Sequence, residues 1–440
     1  MYRYEKIVEE ILLRIEQGCY TKKLPSIRNL MSHYSVSQST IMQSLNVLKS
    51  LNKIYSKQND GYYIIPTEIK TISPNSYDFS TTSTSWTNFP LDNYIQCLEP
   101  AINNKRENLF EYGKAEGDSK LISLIQHLLS EEHIYTDKNQ IVITSGTQQA
   151  LHILSLIILK GNYGLLIEQP TYHLLIDLAE QLMIPIHTFK RLLNEFDINE
   201  FEQAIINYSP KFVYLMPRLH NPLGTSLTHA DKQKIVKLAE THNFYIIEDD
   251  YMGDFDNYSK YHTLYELDNN DRVIYLKSFS KIMFPGQRLG ISIIPIKLLD
   301  QYLQLKKVTD IQTNTLSQSI MEVFIESGLY SHHKSKIIEF HHKKAKALTE
   351  ALNNHMNNFK YNKNHQMHTV IQLPKEVNMN KLHRELQNEG IYVDEYQNNY
   401  INNYQYKEKF LKLNTTNINE DKINEGILKV KDIIMRSTSF

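Results

Sequence analysis

Val273-Ile274-Tyr275-Leu276-Lys277-Ser278-Phe279-Ser280-Lys281, with Arg288 seven residues further on, is the stretch that decides the fold. Its first four residues form an apolar, β-prone run short enough to be a buried strand. Two hydroxyls, a lysine and an arginine then follow in quick succession. A lysine amine at such a place can condense with an aldehyde cofactor. The hydroxyls and the guanidinium can hold a phosphate. Together they are what a pocket for pyridoxal 5'-phosphate requires.

Working outward, the same pattern recurs. Ile141-Val142-Ile143-Thr144 is followed by Ser145-Gly146-Thr147-Gln148-Gln149 and a helical stretch. Leu165-Leu166-Ile167 leads into Gln169-Pro170-Thr171-Tyr172, and Phe212-Val213-Tyr214-Leu215 precedes Asn221-Pro222-Leu223-Gly224. Phe244-Tyr245-Ile246-Ile247 is followed by Glu248-Asp249-Asp250-Tyr251, and Ile291-Ser292-Ile293-Ile294 comes after Arg288. Strands alternating with helices predict an α/β body around a mostly parallel sheet. In such sheets ligands sit at the carboxyl ends of the strands, where these polar clusters fall.

The first 65 residues read differently. Ile7, Ile11 and Ile15 give a first helix one apolar face, with Gly18 closing it. Leu24-Pro25-Ser26-Ile27-Arg28 opens a second helix with Ile27, Leu30 and Met31 inward. Tyr34-Ser35-Val36 makes a turn, Ser37 is the expected N-cap of a third helix, and Ile41, Leu45 and Leu48 face inward. Gln38, Ser39, Thr40 and Gln43 are left outward near its start. Ile54 to Lys57, the Asn59-Asp60-Gly61 turn and Tyr62 to Ile65 form a hairpin. Three helices and a hairpin are a winged helix-turn-helix, whose third helix enters the major groove by its N-terminal residues. Ser26, Arg28, Ser37, Gln38, Ser39 and Thr40 are therefore the candidate DNA contacts, with Arg28 on a phosphate. The other reading of this segment is a helical adaptor that binds no DNA.

This head resembles the GntR family of bacterial regulators, through Leu24-Pro25-Ser26-x-Arg28, Val36-Ser37-x-x-Thr40-Ile41 and the Asp60-Gly61-Tyr62-Tyr63-Ile64 wing. It departs where that family usually carries Ser-Arg, here Ser37-Gln38. Gln38 can read adenine but supplies no cationic contact.

Composition sets further bounds. The 440 residues are 41% apolar with a net charge of −1, so no whole-protein field points to nucleic acid or membrane. Residues 1–70 hold ten Lys or Arg against six Asp or Glu, a net +4, which leaves −5 for the rest. A mildly basic head on an acidic body suits DNA binding by the head. Cys19 and Cys97 show neither disulfide nor metal spacing, which fits a reducing compartment and no metal site. The N-terminus has no signal-peptide pattern, and the apolar stretch from Leu151 to Leu159 is too short to span a bilayer, so a cytoplasmic protein without membrane association is expected. The domains expected are a winged helix over 1–66, a Ser/Thr/Asn/Pro linker over 67–90 with Trp86 near its end, and a body over 91–440. The body divides into a large part near 100–300 and a small C-terminal part near 310–440.

From about residue 90 to 435 the chain resembles the fold-type I pyridoxal-phosphate enzymes, the aminotransferases, and its two-part arrangement resembles the MocR subfamily of GntR regulators. The motifs are Tyr112-Gly113…Gly117, Ser145 to Gln149, Asn221-Pro222-x-Gly224, Ile247 to Tyr251 and Ser278-Phe279-Ser280-Lys281…Arg288. The resemblance implies that Lys281 carries the internal aldimine and that Asp249 pairs with the pyridinium nitrogen, Asp250 being the competing choice. Tyr251 and Asn221 would bond the ring's phenolic oxygen and Tyr172 would stack on the ring. Gly146, Thr147, Ser278, Ser280 and Arg288 would hold the phosphate, reached also by Tyr112 from a second subunit of a homodimer. Where aminotransferases hold the substrate α-carboxylate with an arginine, the matching stretch is Phe410-Leu411-Lys412-Leu413-Asn414-Thr415. Lys412 keeps the charge and loses the bidentate fork, which argues against efficient turnover. The expected function is a transcriptional regulator of a double-stranded DNA operator, sensing pyridoxal phosphate or an amine or amino-acid effector whose carboxylate meets Lys412. The alternatives are an active pyridoxal-phosphate-dependent aminotransferase with an added DNA-binding domain, and a repressor that has lost the cofactor.

Overall fold

The computed structural model describes residues 3–16, 19–20, 22–51, 53–57, 60–64, 76–80, 88–256, 263–364, 366–394 and 397–438. The chain forms two units, Met1–Asn75 and Ser76–Phe440. Gly18, Asn59, Ile65 and Trp86 lie outside the described residues.

In the first unit α1 spans Arg3–Glu16, α2 Ile27–Tyr34 and α3 Gln38–Ser50, followed by the antiparallel strands β1 (Ile54–Lys57) and β2 (Gly61–Ile64). The expected caps form: Ser26 Oγ accepts from Asn29 N at 3.3 Å and Ser37 Oγ from Thr40 N at 3.4 Å, each the kind of bond whose loss costs about 1 kcal/mol. Ile7, Ile11, Leu30, Ile41, Leu45, Leu48, Ile54 and Ile64 are buried together. One feature has no period-2 signature in the sequence: Leu24 N donates to Tyr62 O and Ile64 N to Lys22 O, so the chain before α2 adds a third short run to the wing.

The second unit begins with β3 (Tyr77–Phe79), which pairs in parallel with a strand more than 300 residues later. Tyr77 and Phe79 are buried and Asp78 is not, an alternation only three residues long. This corrects the expectation of a continuous linker over 67–90: residues 76–80 are built into the body, and 67–75 and 81–87 lie outside the described residues. After α4 (Leu91–Asn104) and α5 (Ser119–Glu131) come β4 (Ile141–Thr144), α6 (Thr147–Lys160), β5 (Leu165–Gln169), α7 (His173–Gln181), β6 (Ile186–Lys190), α8 (Ile198–Tyr208), β7 (Phe212–Leu215), α9 (His229–His242), β8 (Tyr245–Asp249), α10 (Leu264–Leu267), β9 (Val273–Ser278) and β10 (Gly290–Ile293).

These strands form one seven-stranded sheet in the order β4-β10-β9-β8-β7-β5-β6. Only β10 runs against the others, antiparallel to both β9 and β4. The reason is length. Residues 279–289 between β9 and β10 are too few for a helical crossover, so the chain returns antiparallel. That return carries Ser280, Lys281 and Arg288 across one edge of the sheet and places Arg288 beside the start of α6. Strands β4, β5, β7, β8, β9 and β10 are buried along their whole length, as a sheet covered on both faces must be.

The chain continues through α11 (Ile296–Asp310), α12 (Thr315–Glu326) and the 27-residue α13 (Leu329–His355). It then forms β11 (Lys360–Tyr361), β12 (His368–Leu373), α14 (Met379–Asn388), β13 (Ile391–Val393), β14 (Lys409–Asn414) and α15 (Glu420–Thr438). Strands β11, β12 and β14 make a small antiparallel sheet. Its core gathers Val370, Ile371, Leu411 and Leu413 with Leu382, Leu386, Ile427 and Ile434, and also Tyr77 and Phe79.

Candidate cofactor pocket and candidate DNA-reading surface

A cavity of about 500 Å³ opens where β4, β8 and β9 end. Gly146, Thr147, Tyr172, Asn221, Asp249, Tyr251, Ser278, Ser280, Lys281, Arg288 and Lys412 all line it. Of the body residues given a site role in the sequence, Tyr112 and the competing Asp250 are not brought there. Tyr112 is 83% exposed on the loop after α4.

On the phosphate side, Gly146 follows β4 at φ +82°, and its added Cβ would lie 3.0 Å from the Arg288 guanidinium. Glycine is needed for both reasons. Arg288 Nη2 donates to Ser145 O at 2.8 Å, and Ser280 N to Ser278 Oγ at 3.2 Å. The free N–H groups opening α6, the hydroxyls and the guanidinium thus converge on one wall, a donor set that suits a phosphate dianion.

The two adjacent aspartates separate cleanly. Asp249 is the last residue of β8 and lines the cavity. Tyr214 OH donates to its Oδ2 at 2.7 Å, while Oδ1 is buried without a hydrogen-bond partner. Burial pushes this carboxyl up to about 7. Asp250 points elsewhere, as successive residues at a strand end do. It is gripped by Arg218, at 2.9 Å from Nε, and by Tyr275 OH at 2.6 Å, and the guanidinium holds it below the usual carboxylate range. A buried acceptor oxygen waiting for a donor is what the protonated ring nitrogen of pyridoxal phosphate would satisfy, so the residues present fit that cofactor.

Lys281 lies in the return between β9 and β10, and its amine is pulled down to about 8, first by burial and then by the charge of Lys412. An amine near neutrality is the reactive form for attack on a carbonyl. Burial raises Tyr172 to about 12 and Tyr251 well above its usual value; Tyr251 OH donates to Leu219 O at 3.2 Å. The Asn221 loop is braced by His368 against His220 O at 3.1 Å.

Lys412 is already engaged. Its Nζ lies 3.4 Å from Asp394 Oδ2 and donates to Asn221 Oδ1 at 3.2 Å. Asp394, Asn399, His173, Gln148 and Met216 also line the cavity and were missed by sequence reasoning. Gln148 and His173 stand beside recognised residues, Met216 follows β7 directly, and Asp394 and Asn399 sit in no motif. Asn399 Nδ2 donates to Thr171 O at 2.7 Å, joining the C-terminal part to the Tyr172 loop.

In the head, Arg3, Arg28, Ser37 and Thr40 line one groove at the start of α3. Arg28, Gln38 and Ser39 are exposed, and Thr40 is half-buried. Ser26 is spent on capping α2. Ser37 Oγ lies 2.8 Å from Ser39 Oγ and 3.0 Å from Thr40 Oγ1, a knot of hydroxyls on the cap. Lys23 Nζ, 2.6 Å from Asp60 Oδ1, and Tyr63 OH close the wing, and the lysine with the tyrosine holds Asp60 down to about 2. Among the described residues no helix is long and apolar enough to cross a membrane, and no cluster of His, Cys, Asp or Glu could hold a metal ion.

Known proteins match both units. Residues 77–430 match the model of the aminotransferase class I and II family, and residues 3–64 that of the bacterial regulatory proteins of the gntR family. An uncharacterized HTH-type transcriptional regulator, YcxD of Bacillus subtilis strain 168, is 36% identical over 97% of this chain and 98% of its own length. The HTH-type transcriptional regulator NorG of Staphylococcus aureus strain USA300 is 27% identical over 72% of this chain and 78% of its own. Among solved structures, the kynurenine aminotransferase of Pyrococcus horikoshii superposes with a TM-score of 0.76 at 22% identity, covering 90% of this chain and all of that one.

Proposed function

The chain belongs to the aminotransferase class I and II family and carries a gntR-family head, and from that premise we propose that it is a DNA-binding transcriptional regulator whose body binds pyridoxal phosphate and senses it, or an amine or amino acid that meets it there. The observation that carries the cofactor reading is Asp249 Oδ1, buried without a partner in a cavity that also holds Lys281 and a phosphate-type donor wall. Asp249 would face the ring nitrogen, Tyr172 the ring, and Asn221 and Tyr251 its phenolic oxygen. Gly146, Thr147, Ser278, Ser280 and Arg288 would hold the phosphate, and Lys281 would attach the cofactor. When bound, the cofactor supplies an aldehyde that exchanges its amine partner. Tyr112, exposed in its own chain, would complete the phosphate site of a second copy in a homodimer.

The head over residues 1–66 would set α3 in the major groove with Gln38 toward bases, Ser37, Ser39 and Thr40 knotted at the cap, and Arg3 and Arg28 on phosphates. Effector binding would act on the operator through differing affinity for two arrangements of the heads. Lys412 would meet an effector carboxylate in competition with Asp394. The deciding experiment is a visible absorption spectrum of the purified protein titrated with amino acids and amines, with operator affinity measured at each step. A ligand that shifts the bound cofactor's band and the DNA affinity together supports the sensor. Full conversion of the cofactor to its amine form, reversed by a keto acid and without effect on DNA, would establish the aminotransferase instead.

A further inference from the structure

The outward face of α3 has a uniform chemistry. Gln38, Ser39, Gln43 and Asn46 are exposed and Met42 is half-buried, whereas Ile41, Ser44, Leu45 and Leu48 are buried. The helical repeat puts positions 38, 42 and 46 along one line with 39 and 43 beside it. From Gln38 to Leu48 there is no Arg, Lys, Asp or Glu. The hydroxyls of Ser37, Ser39 and Thr40 are turned on one another and on the helix N-terminus. Lys49, in the last turn, donates to Ser56 Oγ at 3.4 Å in the wing. What remains for base edges over the first three turns is three carboxamides, Gln38, Gln43 and Asn46.

A carboxamide offers a donor and an acceptor side by side. Adenine shows the matching acceptor and donor, N7 and N6–H, in the major groove. Guanine shows two acceptors, O6 and N7, which call for a cationic fork. The basic groups near the start of the helix, Arg3 and Arg28, line the groove beside the Ser37 cap and not the carboxamide row.

Resting on the operator-binding reading of the head, we propose that the recognition surface is an adenine reader. Gln38, Gln43 and Asn46 contact the major-groove edges of adenines in an A·T-dominated half-site, and Arg3 and Arg28 supply affinity without sequence preference. Sequence discrimination is then carried by neutral hydrogen bonds, and the salt dependence of binding is set by residues that read no base.

The test uses the full chain with pyridoxal phosphate and a randomised duplex library, followed by affinity measurement at one fixed salt concentration. In the selected duplex each adenine is replaced singly by 7-deazaadenine, which keeps pairing but lacks N7. The expected result is a half-site core of A·T pairs in which two or three single replacements each weaken binding about 5- to 150-fold. Gln38→Arg would move the preference at one position to guanine, and Gln43→Ala would relax a different one. A G·C core, or an A·T core indifferent to the replacements, would overturn the adenine reader and leave the operator-binding reading standing. Enrichment of no duplex would overturn both.

Discussion

Replacing Asp249 with asparagine probes the one group that decides whether the body is built around a cationic ring. Burial raises this carboxyl from 3.8 to about 7. The folded protein therefore keeps a proton that the unfolded chain has already released between those values. Below about pH 4 both states are protonated and the residue costs nothing. As pH rises toward 7 the unfolded state loses its proton and the folded state does not, so stability falls. Above 7 both are ionised and the penalty is complete. At 1.36 kcal/mol per pKa unit the total is about 4 kcal/mol. Asparagine removes that dependence and adds a cost of its own, since its amide would sit where Oδ1 now lacks a partner. That cost, about 1–3 kcal/mol, does not vary with pH.

The difference between the two proteins is the clean observable. Other buried carboxyls, Glu168 and Glu248, are also raised to about 7, but they are common to both and cancel. Urea unfolding of the cofactor-free forms is compared across pH 5–8.5. Asp249→Asn gains on the wild type by about 3 kcal/mol over that range. Pyridoxal phosphate flattens the wild-type slope, because the ring nitrogen then gives Oδ1 its donor. Parallel curves for the two cofactor-free proteins would mean that Asp249 stays ionised throughout, and the argument for a waiting ring partner would fail.

Other perturbations separate the pocket from the head. Lys281→Ala should abolish the visible band of the bound cofactor while leaving the far-ultraviolet circular dichroism unchanged; a persisting band would place the attachment elsewhere. Gly146→Ala, strained at φ +82° and ψ 170° and crowding the Arg288 guanidinium on the phosphate wall, should weaken cofactor binding about 10-fold in an absorbance titration, given a cost of about 1–3 kcal/mol for a side chain in that region. Asp394→Asn removes the carboxylate 3.4 Å from Lys412 and should tighten binding of an α-amino acid about 10-fold, as one freed charge-assisted bond allows; unchanged affinity would show that carboxylates do not bind there. Leu45→Ala, fully buried in the head, should cost about 2–5 kcal/mol and abolish operator binding, with the cofactor band intact.

How far these features could be read from the sequence follows from what kind of contact makes each one. Strands β4, β7 and β9 are covered on both faces and show as unbroken apolar runs, so they were legible, and the polar clusters after them fell at the sheet edge where α/β folds keep ligands. Strand β6, half-buried at the sheet edge, gave no such run. Strand β3 is three residues long and its partner lies at Ile391–Val393, so no local period could reveal it. Asp249 could not be separated from Asp250 by position alone; the choice depends on Arg218, in the loop after β7, and Tyr275, within β9, which claim Asp250. Asp394 and Asn399 reach the cavity through the fold of the C-terminal part, and no spacing in the chain announces them.

The Lys412–Asp394 pair bears on why a pocket with this donor set would serve sensing better than turnover. Repeated amino transfer requires a substrate held in one geometry for each proton movement, and much of a barrier can be met by that positioning alone. Here the cation proposed to meet a ligand carboxylate, Lys412, is a flexible lysine and not a planar fork, and its charge is already answered by Asp394 at 3.4 Å and Asn221 at 3.2 Å. An incoming carboxylate must displace a protein carboxylate to reach it, so it gains little and is loosely oriented. A sensor has a weaker requirement. It needs a ligand whose affinity differs between two conformations, and a tenfold difference, about 1.4 kcal/mol, already moves a balanced equilibrium to roughly ten to one. Breaking and remaking the Lys412–Asp394 contact is an exchange of this kind, made between β14 and the residue that follows β13. On the proposed reading, the feature that would handicap catalysis would give the ligand a contact to exchange.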